Sequence, residues 1–344
     1  MNIQPENKGD KKVHIVDLHC DTLHELNKLK AKGEHYNLYK SEGHLDIERM
    51  QESDYKLQCF AAFVQMKEVE SAYQQGKTLA ELYKQFCAEY SPYIAPVYHY
   101  ADIEKNAKKG LISAMLTIEE GGVLEGSLER LREFYEYGVR MITLTWNFPN
   151  EIGYPGCMEE QEIPEIASLD TWKVKGNYPG LTQKGIEIVE KMQEEGIIVD
   201  VSHLSDAGFW DVAAITKKPF AASHSNARSI CRHKRNLSDA QIRLLAERGG
   251  VMGLNYAADF LEDDPSKLTW DSFIRHIKHI IQVGGEDVLA LGSDFDGIDT
   301  NPILPHSGKL PQLFEQMHKS GISESVIDKI KGENALRMMK EVLR

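Results

Sequence analysis

Short unbroken apolar runs, rich in β-branched residues, recur eight times along the chain, at 13–18, 57–65, 112–118, 139–145, 196–201, 219–223, 249–254 and 288–293. Between them lie stretches whose apolar residues repeat at helical spacing, among them 22–31, 77–90, 127–137, 182–195, 206–217, 238–248 and 270–283. A continuous apolar run reads as a strand buried on both faces. Its alternation with amphipathic helices predicts a parallel sheet covered by helices. Eight such units predict an α/β fold of the closed (β/α)8 TIM type rather than an open doubly wound sheet.

Local punctuation agrees with these boundaries. Ser238-Asp239 stands where an N-cap belongs before IRLLAERGG, and Gly249-Gly250 follows that helix. Thr182 is placed to cap QKGIEIVEKMQEEG, which ends at Gly196. The least regular stretch is 147–180, rich in Gly, Pro and aromatic residues, after the fourth strand. A loop of that length on the strand-end face predicts a lid or substrate wall. From 311 onward the chain reads as two or three helices.

At 344 residues the chain fits one such barrel with insertions, a single domain over 1–344. The 40 Lys+Arg against 53 Asp+Glu leave a formal charge of -13, which argues against nucleic acid or an anionic membrane as partner. No apolar run approaches the roughly 20 residues of a membrane span, and MNIQPENKGDKK lacks the apolar core of a signal peptide. The five cysteines are odd in number and have no CxxC spacing, so reduced thiols and a cytoplasmic location are expected.

Chemistry collects where the apolar runs end. His19 and Asp21 in VDLHCD lie two apart, so in extended chain they face one side while Cys20 faces the other. Imidazole with carboxylate suits a borderline divalent metal. Glu120 adjoins the Gly-Gly turn in IEEGG, and its two oxygens are able to bridge two cations; on that adjacency it is preferred to Glu119 as ligand. His203 and His224 end consecutive strands, VDVSH and AASH, and their two imidazoles suit a second metal site with Glu120 as the shared ligand. Asp294 opens the DFDG turn after the last strand, where an unligated carboxylate suits a proton shuttle. Arg235 in CRHKRN is either a fork for a substrate carboxylate or one cation of a solvated basic patch with Arg228, Arg232 and Lys234.

These motifs together resemble the renal or membrane dipeptidase family of metal-dependent amidohydrolases: DLHCDT at 17–22, EGG at 120–122, VDVSH at 199–203, SHSNAR at 223–228, KRN at 234–236 and GSDFDG at 292–297. The resemblance spans essentially the whole chain. It implies two zinc ions per chain, with His19 and Asp21 on one, His203 and His224 on the other, and Glu120 between them; Mn2+ or Co2+ also suits such donors. It further implies Asp294 as acid/base and Arg235 as the receptor of the substrate's C-terminal carboxylate. The substrate is then a small dipeptide, with a D-residue tolerated at the C-terminal position, cleaved by a metal-bridging hydroxide. A homodimer is also implied, although no interface is readable. One departure stands out: family members from animals carry a histidine after the fourth strand that helps bind substrate, whereas this chain reads ITLTWN, placing Trp146 there with Asn147 beside it as the candidate polar contact.

Two rival readings are carried. One is another amidohydrolase-type barrel acting on a cyclic amide, lactam or lactone. Many of those bridge their metals through a modified lysine after the fourth strand, where this chain has none. The other is a non-catalytic metal or ligand binder, which has no use for an unligated Asp294.

Overall fold

The computed structural model of the chain describes residues 13–34, 36–158, 169 and 179–344. Its strands are β1 (Ile15–Asp17), β2 (Tyr55–Phe63), β3 (Ile94–Pro96), β4 (Ile112–Glu119), β5 (Val139–Thr143), β6 (Ile198–Asp200), β7 (Ala221–Ala222), β8 (Val251–Leu254) and β9 (Leu289–Leu291). Eight of them close into a parallel barrel in the order β1, β2, β4, β5, β6, β7, β8, β9, with β9 returning to β1. The eight apolar runs of the sequence are these eight strands. The ninth, β3, pairs only with the first residues of β4, Ile94 against Ile112. It escapes the sequence pattern because three residues ending in proline carry no readable alternation.

Side chains along each strand divide by parity. In β4 the residues Ile112, Ala114, Leu116 and Ile118 pack outward against the helices, while Met115 belongs to the inner cluster with Val16, Leu57, Met141, Ile198, Ala221, Val251 and Ala290. Continuing six of these inner series, those of β4 to β9, by steps of two gives small or polar residues at the C-terminal ends: Thr117 and Glu119, Thr143, Asp200, Ser223, Gly253 and Asn255, Gly292 and Asp294. The barrel interior therefore runs from apolar to polar along its axis. The apolar end is sealed by the helix Asn334–Val342, whose Ala335, Met338, Met339 and Val342 join the inner cluster. Asn334 pins that helix by donating to the carbonyls of Glu286 and Leu289, both at 2.8 Å. The polar end is left for chemistry.

The helix boundaries follow their caps. Ser238 accepts from the Gln241 amide while the Gln241 side chain answers the Ser238 amide, and Thr182 accepts from the Gly185 amide. Beyond 310 there are three helices, Leu310–Lys319, Glu324–Asp328 and Asn334–Val342, the last two joined by a π-turn. The lid or wall expected over 147–180 falls mostly on 159–168 and 170–178, which lie outside the described residues. Among the described residues no helix is long and apolar enough to cross a membrane.

Two glycines let the ends of β7, β8 and β9 approach closely. A Cβ at Gly253 would lie 2.0 Å from the Ser223 carbonyl oxygen, and one at Gly292 would lie 1.8 Å from the same atom. Ser223 precedes His224, so this packing sets where that imidazole leaves the barrel wall. Gly292→Ala is expected to cost about 1–3 kcal/mol by overpacking against backbone, measured as a lowered urea midpoint with unchanged slope; wild-type stability in that variant would contradict the close approach.

Candidate metal centre

Turns after the barrel strands bring three imidazoles and three carboxylates together at the polar mouth. His19 Nε2 lies 3.3 Å from Asp21 Oδ2, 3.4 Å from Glu119 Oε2 and 3.8 Å from Asp294 Oδ1. The other oxygen of Glu119 lies 2.9 Å from His203 Nε2 and 3.6 Å from His224 Nε2. Those two Nε2 atoms are 3.0 Å apart, and the His19 and His224 rings stack at 3.9 Å. His19, Asp21, Glu119, His224 and Asp294 are all buried. Two overlapping sets, His19–Glu119–His224 and His19–Asp21–Asp294, each bring their donor atoms within 4.8 Å of one another.

Glu120 is not among them, which corrects the sequence expectation. Glu119 is the fourth member of the inner β4 series and points into the mouth. Glu120 follows it with φ +97, in the left-handed region, and is turned away. Its carboxylate accepts instead from the Gly122 amide at 2.7 Å, the Trp146 amide at 3.1 Å and Asn150 Nδ2. Burial pushes its pKa up to about 7 against those three donors. It ties the turn after β4 to the turn after β5. The Gly-Gly turn thus marks where the chain leaves the barrel, not which of the two glutamates faces inward. The signal that separates them is parity, since Ser113, Thr117 and Glu119 share one face of the strand and Ile112, Leu116 and Ile118 the other.

The electrostatics of this cluster are frustrated without a cation. Burial, then the Glu119 charge, holds the Asp21 carboxyl well above the usual range. Glu119 goes the other way: burial opposes ionisation, but the charge of His19 draws it well below its ordinary value. For His19, burial favours the neutral ring, yet the Glu119 and Asp21 carboxylates outweigh it and raise its pKa well above normal. Burial pushes His203 down to about 3, with Arg235 adding to the effect. His224 is lowered by burial and by His19. His19 Nε2 and Asp21 Oδ1 are buried with no hydrogen-bond partner. Buried polar atoms left unpaired beside converging carboxylates fit a divalent cation better than any solvent arrangement.

Around this cluster the remaining residues take distinct places. Asp294, at φ +62, accepts from Asn255 Nδ2 at 2.8 Å; burial opposes its charge, but His224 and His19 keep its pKa below normal. Asn255 had no sequence signal beyond its place directly after β8, in step with the inner residues Val251 and Gly253. Arg235 is 7% exposed, so it does not belong to a solvated patch, whereas Arg228 pairs with Asp206 at 2.6 Å. Its Nη2 reaches the His224 carbonyl at 3.3 Å, its Nε is buried without a partner, and its guanidinium lies 5.4 Å from the Phe260 ring centre. Asn147 Oδ1 accepts from His203 Nδ1 at 3.1 Å, so it faces an imidazole. The Trp146 ring lies 6.2 Å from that of His203 and packs edge-on against Phe63 at 4.9 Å.

A parallel barrel whose strand-end mouth gathers these donors defines the class: a metal-dependent hydrolase. The model of the membrane dipeptidase family, peptidase family M19, matches residues 7–344, and the chain belongs to that family of metallo-dipeptidases. An uncharacterized dipeptidase of Schizosaccharomyces pombe is 30% identical over 351 aligned positions, covering 96% of this chain and 81% of that protein. Among solved structures, the dipeptidase AC, a metallo-peptidase of family M19, superposes with a TM-score of 0.84 at 27% identity, covering 96% of this chain and 99% of its own. A metallo-peptidase from Rhodobacter sphaeroides, liganded with a phosphinate mimic of the dipeptide L-Ala-D-Ala, gives 0.83 at 26% identity with the same coverage, 96% and 99%.

The two adjacent glutamates make a direct test. Glu119→Gln is expected to lower zinc affinity and dipeptide turnover together, each by at least ~10²-fold, since second-shell losses alone reach 10–100-fold. Glu120→Gln, which leaves two donors facing each other at the Trp146 amide, is expected to keep its metal and lose about 1–3 kcal/mol of stability. Metal analysis alongside thermal melts separates the two, and the reverse pattern would restore Glu120 as the ligand.

Proposed function

We propose that this chain is a dinuclear zinc dipeptidase, with His19 and Asp21 holding one ion, His203 and His224 the other, and Glu119 shared between them. One observation carries the reading: a single buried carboxylate directs Oε2 toward His19 and Oε1 toward His203 and His224. Divalent cations bound by these donors supply Lewis acidity for the scissile carbonyl and a nucleophilic water near neutral pH. The chain's own groups do the rest. Asp294, held ionised and anchored by Asn255, accepts the proton of the attacking water and delivers it to the departing amine.

Arg235 selects the substrate. A guanidinium buried to 7% exposure, with an unpaired Nε and no carboxylate partner among the described residues, is a desolvated cation that calls for an anion. The free C-terminal carboxylate of a short peptide answers that need, and a neutral lactam or lactone does not. Arg235 touches the backbone of His224, so a dipeptide whose carboxylate pairs with it would place its peptide bond beside the imidazoles. The L-Ala-D-Ala mimic bound by the Rhodobacter sphaeroides enzyme extends the proposed substrates to dipeptides with a D-residue at the C-terminal position. Trp146 and Phe63 form an aromatic wall beside His203 for the remainder of the substrate, and Asn147 serves His203 rather than the peptide.

Removal of metal by a chelator is expected to abolish cleavage of L-Xaa-D-Xaa and L-Xaa-L-Xaa dipeptides, and zinc to restore it; turnover that survives thorough stripping rules out metal catalysis. Asp294→Asn should retain zinc while losing roughly 10²-fold or more in kcat. Undiminished turnover in that variant would remove Asp294 from proton transfer.

A further inference from the structure

We infer that Asp200, the last residue of β6, is a positioning residue that decides which nitrogen of His224 carries the ring hydrogen, and so whether Nε2 offers a lone pair to the metal centre, acting through the hydroxyl of Ser223. The identity of the bound group rests on the proposed function; the hydrogen-bond chain does not. Asp200 is fully buried and accepts four hydrogen bonds. Its Oδ1 takes the amides of Ser202 at 3.0 Å and Ser223 at 2.8 Å, and its Oδ2 takes Thr143 Oγ1 and Ser223 Oγ, both at 2.6 Å. An ionised carboxylate with four donors around it has no proton to give.

The direction of the chain follows from counting hydrogens. Ser223 has one hydroxyl proton, and at 2.6 Å the Asp200 carboxylate takes it in preference to Ser202 Oγ at 3.3 Å. Ser223 Oγ therefore offers only a lone pair to His224 Nδ1, 2.7 Å away. Nδ1 must carry the ring hydrogen, and Nε2 presents its own lone pair toward Glu119 and His203. A ring held the other way would put an N–H where a ligand nitrogen is needed. Carboxylate support of metal-bound histidine is a general device; in this chain it is relayed by a serine adjacent in sequence to the histidine.

Asp200→Asn reverses the relay while sparing the backbone bonds. The asparagine oxygen remains on the Ser202 and Ser223 amides, so its NH2 faces Thr143 and Ser223. Ser223 Oγ then accepts, its proton turns to His224 Nδ1, and the ring hydrogen moves to Nε2. With 15N-labelled histidine, the metal-free wild-type chain is expected to show His224 protonated at Nδ1 and D200N at Nε2. Zinc titration against a competing chelator should show one of two sites weakened by about 10–100-fold in D200N, with circular dichroism unchanged. Ser223→Ala, which deletes the relay atom, should weaken the same site and give a second reading if D200N fails to fold. A wild-type ring protonated at Nε2, or zinc affinity within twofold of wild type in the folded variants, overturns the inference. Were the wild-type chain to bind no zinc, the proposed function would fall, and the nitrogen spectra would still decide the relay.

Discussion

Three carboxylates buried within reach of three imidazoles are a burden that the rest of the barrel is arranged to carry. Asp21, Glu119 and Asp294 are each under a tenth exposed, and like charges at such spacing in a dry site resist simultaneous ionisation. The chain divides the conflict unequally. Asp21 is driven toward its protonated form while Glu119, facing the imidazoles, is driven to ionise. A divalent cation removes the reason for that asymmetry, because it stabilises both carboxylates in their charged forms. Under the proposed function, metal uptake at this mouth would displace that proton.

The barrel offsets the burden by segregating polarity along its axis. One end of the interior is filled with Val, Met, Ile and Ala and closed by the C-terminal helix. The other end ends strand after strand in a side chain that is small, polar or charged. Two aspartates stitch this polar end together by the same means. Asp17 Oδ1 accepts the amides of His19 at 3.2 Å and Ser293 at 3.0 Å, joining β1 to β9 beside Asp294. Asp200 does the same for Ser202 and Ser223, joining β6 to β7 beside His203 and His224. In each case the carboxylate fixes backbone next to a residue of the centre, which is how side chains on separate strands hold a common focus.

Much of this was legible in the sequence because buried parallel strands announce themselves as unbroken apolar runs and the reactive groups sit where those runs stop. His19, Asp21, His203, His224 and Asp294 were found that way, and the structure brings them together. The error at Glu120 came from reading the turn instead of the strand. A Gly-Gly pair locates the end of a strand to within a residue, and a shift of one residue reverses the facing of a side chain. Asn255 and Asp200 were hidden for another reason. Asp200 lies inside the run 196–201 and Asn255 directly after the run 249–254, and a lone polar residue in either place gives no sign of its hydrogen-bond partner on the next strand. Arg235 could not be separated from its basic neighbours by charge alone. What distinguishes it is burial, which depends on how the loop after β7 folds under Phe260.

Three of the six non-glycine residues with positive φ among the described residues stand at or next to this focus. Glu120, His203 and Asp294 all adopt left-handed backbone angles, φ +97, +67 and +62, that non-glycine residues seldom occupy. Each stands just past a strand end, where the chain leaves the barrel wall; His203 and Asp294 keep their side chains on the mouth, while Glu120 turns away and leaves Glu119 facing it. An ordinary extended continuation at His203 would carry its ring past the centre instead of across it toward His224. Residues held in such conformations cost on the order of 1–3 kcal/mol each, so the surrounding hydrogen bonds must over-determine them. Glu120 has three donors on its carboxylate, His203 has Asn147 on Nδ1, and Asp294 has Asn255 on Oδ2. The strained backbone and the polar braces are therefore one device: the brace makes the conformation tolerable, and the conformation sets which side chain faces the mouth.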